Sequence, residues 1–233
     1  MESSTSVESV TDRLTLIGTI HVSAESGKLV SDTILRLKPR IVALELDEGR
    51  LSALMTPNAS NRNPLRAGMS FLFIALLEKF AGEITGSAPG AEMLRAVEAA
   101  RMVGSQIQFI DLPIQRTISA IRTLSRKEKM KLGLDSIVSI FFFPFAKLNM
   151  SRLSNEIENQ ISLFRQRYPD LSRILIDERE QYMARRLQEL HDSTSGLIVA
   201  VVGYGHMKSL ARVLHKTLQP RQSYSSTITW TLP

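Results

Sequence analysis

The chain has 233 residues, 43% of them hydrophobic, which suits one large domain with a real core. It contains no cysteine, which excludes a disulfide framework, a thiolate metal site and a cysteine nucleophile. The formal charge is +6, concentrated in Arg116, Arg122, Arg126, Lys127, Lys129 and Lys131. A run of this kind is usually a solvated helix face, and it also suits phosphate or an anionic membrane surface. Aromatic residues are only 6% and no nucleic-acid motif interleaves with the run, so no nucleic-acid partner is expected.

The opening stretch MESSTSVESVTDR lacks a basic segment followed by an apolar one, so it does not read as a signal peptide. No window reaches 18 consecutive apolar residues. The expectation is a cytoplasmic protein, with a longer form as a candidate for membrane association. Two apolar segments, 67–82 (AGMSFLFIALLEKFAG) and 136–148 (SIVSIFFFPFAKL), are too short to span a bilayer. They read as buried helices, as a homodimer contact, or as surfaces that touch lipid.

In chain order, LTLIG (14–18) is an apolar run that predicts a buried first strand. Ser23 can cap a helix from Ala24 to about Leu37, with Leu29, Val30, Ile34 and Leu37 at helical spacing. Pro39 ends it, and Ile41 to Leu46 forms the next strand. Residues 47–66 read as irregular, and 67–82 as an apolar helix. AEMLRAVEAARMV (91–103) predicts an amphipathic helix with Met93, Leu94, Val97 and Met102 inward, stopped by Gly104. Gln106 to Ile110 is a third strand.

From about 116 to 190 the pattern is helical, with breaks near Gly133, Pro144 and Pro169. It reads as a helical insertion between strands three and four of a single domain covering 1–233. Leu197 to Val202 is the most apolar strand and is expected at the centre of the sheet. A last helix runs to about Leu218, and 223–232 alternates like an edge strand. The predicted fold class is α/β, with a mainly parallel central sheet and flanking helices.

Each strand delivers a polar group at its carboxyl end, the edge where open parallel sheets bind ligands: His21, then Glu45 and Asp47, then Asp111, then His206. Both histidines close a Gly-x-x-His after an apolar strand, with Gly18, Gly203 and Gly205 allowing close backbone approach. Two imidazoles and a carboxylate suit a divalent metal such as manganese, cobalt or zinc, with open positions for water. The alternative for each histidine is a capping or core-bonded imidazole. His191 and His215 read as ordinary surface or helix-terminal residues. Thr19, Ser23 and Ser209 invite a Ser-His hydrolase reading, but no nucleophile elbow supports it.

The blocks LIGTIHVSAES, VALELDEGR, GAEMLRAVEAARMVGSQIQFIDLPIQRT, IDEREQYMARRL and VAVVGYGHMKSL resemble those of TraB/PrgY proteins in order and spacing. That family is related to Tiki-type metallopeptidases and to the erythromycin-esterase and ChaN-like superfamily, and PrgY is linked to inactivating a peptide pheromone. The resemblance implies a site at His21, Glu45 and His206, as metal ligands or with Glu45 as general base. It implies support from Asp47, Arg50, Asp111, Arg122, Glu178 and Arg179. Asp111-Leu112-Pro113 departs from the Asp-Arg that relatives often carry at the third strand.

Three functions follow as expectations. The first is a metal-dependent hydrolase acting on a peptide or small amide or ester. The second is a non-catalytic protein that binds a peptide or haem-like ligand against Phe71, Phe73 and Phe141 to Phe143. The third is a membrane-surface module built on the basic run and the FFFPF segment.

Overall fold

The computed structural model describes residues 5–19, 24–55, 90–142 and 153–218. His21, the 67–82 helix, the chain from Phe143 to Arg152 and the 223–232 strand lie outside the described residues.

The strands are β1 (Thr5–Ser9), β2 (Leu14–Thr19), β3 (Ile41–Leu44), β4 (Gln106–Phe109) and β5 (Ile198–Gly203). They form one sheet in the order β1-β2-β5-β3-β4. All pairings are parallel except β1 with β2. β5 is central, as its apolar sequence predicts: Ala200 lies between Leu16 of β2 and Ala43 of β3.

Every residue of β2, β3 and β5 is buried, because helices cover both faces of the sheet. The two-residue period of a strand divides these residues between two cores. Leu14, Leu16, Ala43, Ile198, Ala200 and Val202 pack on one side. There they meet α8 (Glu178–Ser193) and α9 (Tyr204–Leu218). Ile17, Val42, Leu44, Val199 and Val201 pack on the other side. There they meet α1 (Ala24–Leu37) and α3 (Ala91–Met102). The result is a three-layer α/β/α arrangement. At Gly18 a Cβ would collide with Met207, so the glycine lets α9 lie close on β2.

The region after β4 is helical throughout its described residues: α4 (Ile114–Arg122), α5 (Arg126–Phe142), α6 (Leu153–Arg167), a short α7 (Pro169–Ser172) and then α8. Between α7 and α8, Arg173–Asp177 form a π-helical turn. The insertion has its own small core of Ile121, Leu124, Tyr168, Leu171 and Ile174. Gly133 does not break α5, since a single glycine costs a helix only about 1 kcal/mol.

Four local readings are corrected. Residues 48–55 are not irregular but form α2 (Glu48–Met55), capped by Asp47, whose Oδ1 accepts from Gly49 N at 2.8 Å and Arg50 N at 3.2 Å. Met102 is not inward; it is 66% exposed, two residues past Ala100 and so on the face away from the buried stripe of Met93, Ala96, Val97 and Ala100. His191 is buried rather than at the surface, and its Nε2 lies 3.3 Å from Thr11 Oγ1. β1 is an edge strand that the polar sequence TSVES did not signal.

Candidate functional site

β3 stops at Leu44 and the chain turns out of the sheet. Glu45 N still donates to Val201 O at 3.0 Å, while Leu46 N bonds back to Leu44 O at 2.7 Å. Glu45 therefore stands at the carboxyl edge, beside the end of β5. Gly203 N donates to its Oε2 at 2.6 Å. Gly203 closes β5 and directly precedes α9, so this amide belongs to the set of donors that a helix N-terminus leaves free.

Asp111 reaches the same edge two residues after β4. It is 4% exposed, and each of its oxygens is engaged. Oδ1 accepts from Leu112 N at 2.8 Å and from Arg179 Nε at 2.9 Å. Oδ2 accepts from Arg179 Nη2 at 2.8 Å and from Arg50 Nη1 at 3.0 Å.

Arg179, in the first turn of α8, joins these elements. Its Nε and Nη2 hold Asp111 as a fork, Nη2 also donates to Glu45 Oε1, and Nη1 donates to Leu175 O at 3.3 Å. Burial works to strip its proton, but the charges of Glu45 and Asp111 outweigh it and hold the guanidinium above its ordinary pKa. Charge and shape together make it the fixed cation between two buried carboxylates.

His206 sits in the first turn of α9. Its Nε2 lies 3.3 Å from Arg179 Nη1 and 3.6 Å from Glu45 Oε1. Its Nδ1 lies 3.2 Å from Glu180 Oε1. A guanidinium can only donate, so in this arrangement Nε2 is the accepting nitrogen and Nδ1–H points at Glu180. Glu180 is itself held by Ser209 Oγ, which donates to Oε2 at 2.7 Å. The order is Ser209, Glu180, His206, and then the Glu45–Arg179–Asp111 cluster.

Of the residues singled out in the sequence, Glu45, Arg50, Asp111, Arg179 and His206 come together here. Asp47 is adjacent and caps α2; its second oxygen is buried with no hydrogen-bond partner among the described residues. Glu178 turns away and pairs with Arg173 at 2.8 Å. Arg122 is exposed at the end of α4 and makes no bond to the cluster among the described residues. Glu180 was missed, although it falls on the buried stripe of α8 with Met183, Ala184 and Leu187, and a carboxylate in such a stripe needs a partner. Ser209 serves as an anchor for that carboxylate rather than as a nucleophile beside the imidazole.

Of the expected metal ligands His21, Glu45 and His206, the last two lie among the described residues. Among the described residues no group of three or more His, Asp or Glu side chains is arranged to hold an ion. Both oxygens of Glu45 are occupied by N–H donors, and the Arg179 guanidinium already lies between Glu45, Asp111 and His206. The described donors alone therefore leave no open position for a metal while Arg179 stays in place.

Residues 5–219 match the TraB/PrgY/gumN family, a span that includes all of the described residues. The chain belongs to that family. An uncharacterized protein of Methanocaldococcus jannaschii is 34% identical over 213 residues, covering 86% of this TraB-family chain and 53% of the relative. The mouse and human TraB domain-containing proteins are each 26% identical over 235 residues, covering 86% of this chain and 62% of theirs. The chain thus spans between half and two thirds of the length of these relatives. No helix among the described residues is long and apolar enough to cross a membrane.

Proposed function

We propose that this TraB-family chain is a hydrolase of a peptide or a small amide or ester, with His206 as general base. One observation carries the reading: His206 is held at Nδ1 by an anchored carboxylate while Nε2 faces a second carboxylate and a buried cation. A base with its own orienting partner is the arrangement that acyl-transfer sites require.

In the proposed step, water replaces Arg179 Nη1 at the Nε2 lone pair, and Nε2 takes a proton from that water as its oxygen bonds to the substrate carbonyl carbon. Nε2 then changes from acceptor to donor. Its partner becomes Glu45 Oε1, at 3.6 Å, so the imidazolium is flanked by two carboxylates. The same proton passes to the leaving amine or alcohol as the scissile bond breaks. Arg50, about one-third exposed, is the cation able to meet the oxyanion, because Arg179 is already committed to Asp111 and Glu45. Glu45 was expected as a metal ligand or as the base. With both of its oxygens receiving N–H donors, Glu45 instead serves here as the partner of the protonated imidazole.

The test is turnover of p-nitrophenyl esters and a fluorogenic peptide library by wild type and His206→Ala, each with and without chelator. Loss of at least about 100-fold in His206→Ala, with no effect of chelator, is expected. Undiminished turnover in His206→Ala would sink the assignment. Turnover abolished by chelator and restored by manganese, cobalt or zinc would replace it with a metal site completed by His21.

A further inference from the structure

We infer that the cleft between α4 and α8 is a subsite for a carboxylate group of the substrate. A cavity of about 230 Å³ opens there. Its lining includes Leu112 and Glu178, which directly follow Asp111 and directly precede Arg179 in the chain, so the cleft and the site are built on the same two segments. Whole small-molecule pockets occupy roughly 300–1,000 Å³, so this volume suits one residue or end group of a longer ligand.

The chemistry of the lining selects an anion. Arg116 from α4 and Arg185 from α8 both line the cavity, and neither side chain has an ion pair or hydrogen bond among the described residues. The carboxylate in the lining, Glu178, is already paired with Arg173. Gln181 and Tyr182 add neutral hydrogen-bonding groups, and the buried Ile174 gives an apolar floor. Two uncommitted guanidiniums over an apolar floor match the planar, bidentate geometry of a carboxylate. Arg116 also opens the basic run noted in the sequence, which the catalytic reading leaves unused.

The role as a substrate subsite rests on the hydrolase reading; the capacity to bind a carboxylate does not. The probes are N-acetyl-alanyl-glutamate, its diamide and inorganic phosphate, measured by calorimetry and by the arginine Nε–Hε resonances. The dicarboxylate should shift the Arg116 and Arg185 signals. The exposed double variant Arg116→Gln, Arg185→Gln should bind it at least about tenfold more weakly. His206→Ala should bind it as wild type does, whether or not that variant retains turnover, which separates failure of the subsite from failure of the catalytic reading. Equal binding of the diamide, or an unchanged affinity in the double variant, overturns the proposal. So does phosphate binding tenfold or more tightly than the dicarboxylate.

Discussion

Arg179 grips both oxygens of Asp111, with Nε 2.9 Å from one and Nη2 2.8 Å from the other, and only 2% of the Asp111 side chain is exposed. A lysine keeps the charge but cannot span two oxygens and Glu45 together. Arg179→Lys, and more so Arg179→Met, leaves two buried carboxylates without their shared partner. Breaking a buried pair in this way costs about 3–5 kcal/mol. Urea unfolding should show a loss of that size in Arg179→Met, and a loss below about 1 kcal/mol would mean that the guanidinium is not what holds the edge together.

Glu180 acts through His206, so it is a positioning residue. Glu180→Gln keeps an acceptor for Nδ1–H, whereas Glu180→Ala removes it. We expect kcat to fall about tenfold in the first and about 100-fold in the second, with KM nearly unchanged in both. A rise in KM at constant kcat would instead place Glu180 in substrate binding.

In the insertion, Arg167 donates to both oxygens of Asp135 at 2.8 and 2.7 Å, and Tyr168 OH donates to the same carboxylate. Those hydrogen bonds, Arg167 first and Tyr168 second, lower the Asp135 pKa to about 2. The folded value lies below the ordinary 3.8, so the contribution is present above about pH 4 and is lost as pH falls toward 2. The carboxylate is open to solvent, which keeps the effect small. Helical circular dichroism of wild type should weaken across that window, and Asp135→Asn should flatten this part of the profile.

Met130 and Leu134 lie one turn apart on α5 and are 68% and 62% exposed. Together with the apolar sequence that follows, they are expected to make a homodimer contact. Light scattering should give twice the chain mass for wild type and the chain mass for Met130→Glu, Leu134→Glu. A wild-type monomer at high concentration would reject this.

The central layers were legible because physics leaves apolar strands few alternatives. β2, β3 and β5 are buried on both faces, so they read as unbroken apolar runs, and α1 carries its apolar stripe as far as the proline that follows it. β1 was illegible because it is an edge strand whose residues need not be apolar; Val7 itself is 44% exposed. Asp47 was legible as a carboxylate at a strand end but not as a helix cap, since the two roles share one sequence pattern. Glu45, Asp111 and His206 were placed at one edge by the parallel topology. That Arg179 would fill the space between them depended on the rotation of a helix more than 60 residues downstream of Asp111, which no local pattern encodes.

The π-helical turn at Arg173–Asp177 separates two demands on one rod. Leu171 ahead of it and Ile174 near its start face the insertion's core; beyond it, Met183, Ala184 and Leu187 face the sheet. A regular α-helix advances about 100° per residue, and a single extra residue in a π-turn re-indexes everything downstream by about that angle. The turn works as a clocking device, letting one helix be keyed into two cores that look in different directions. Arg179 stands just past the offset and is tied back across it to Leu175 O. Shortening the turn by one residue would leave either core in register but not both, and the cation of the site would swing out from between its carboxylates.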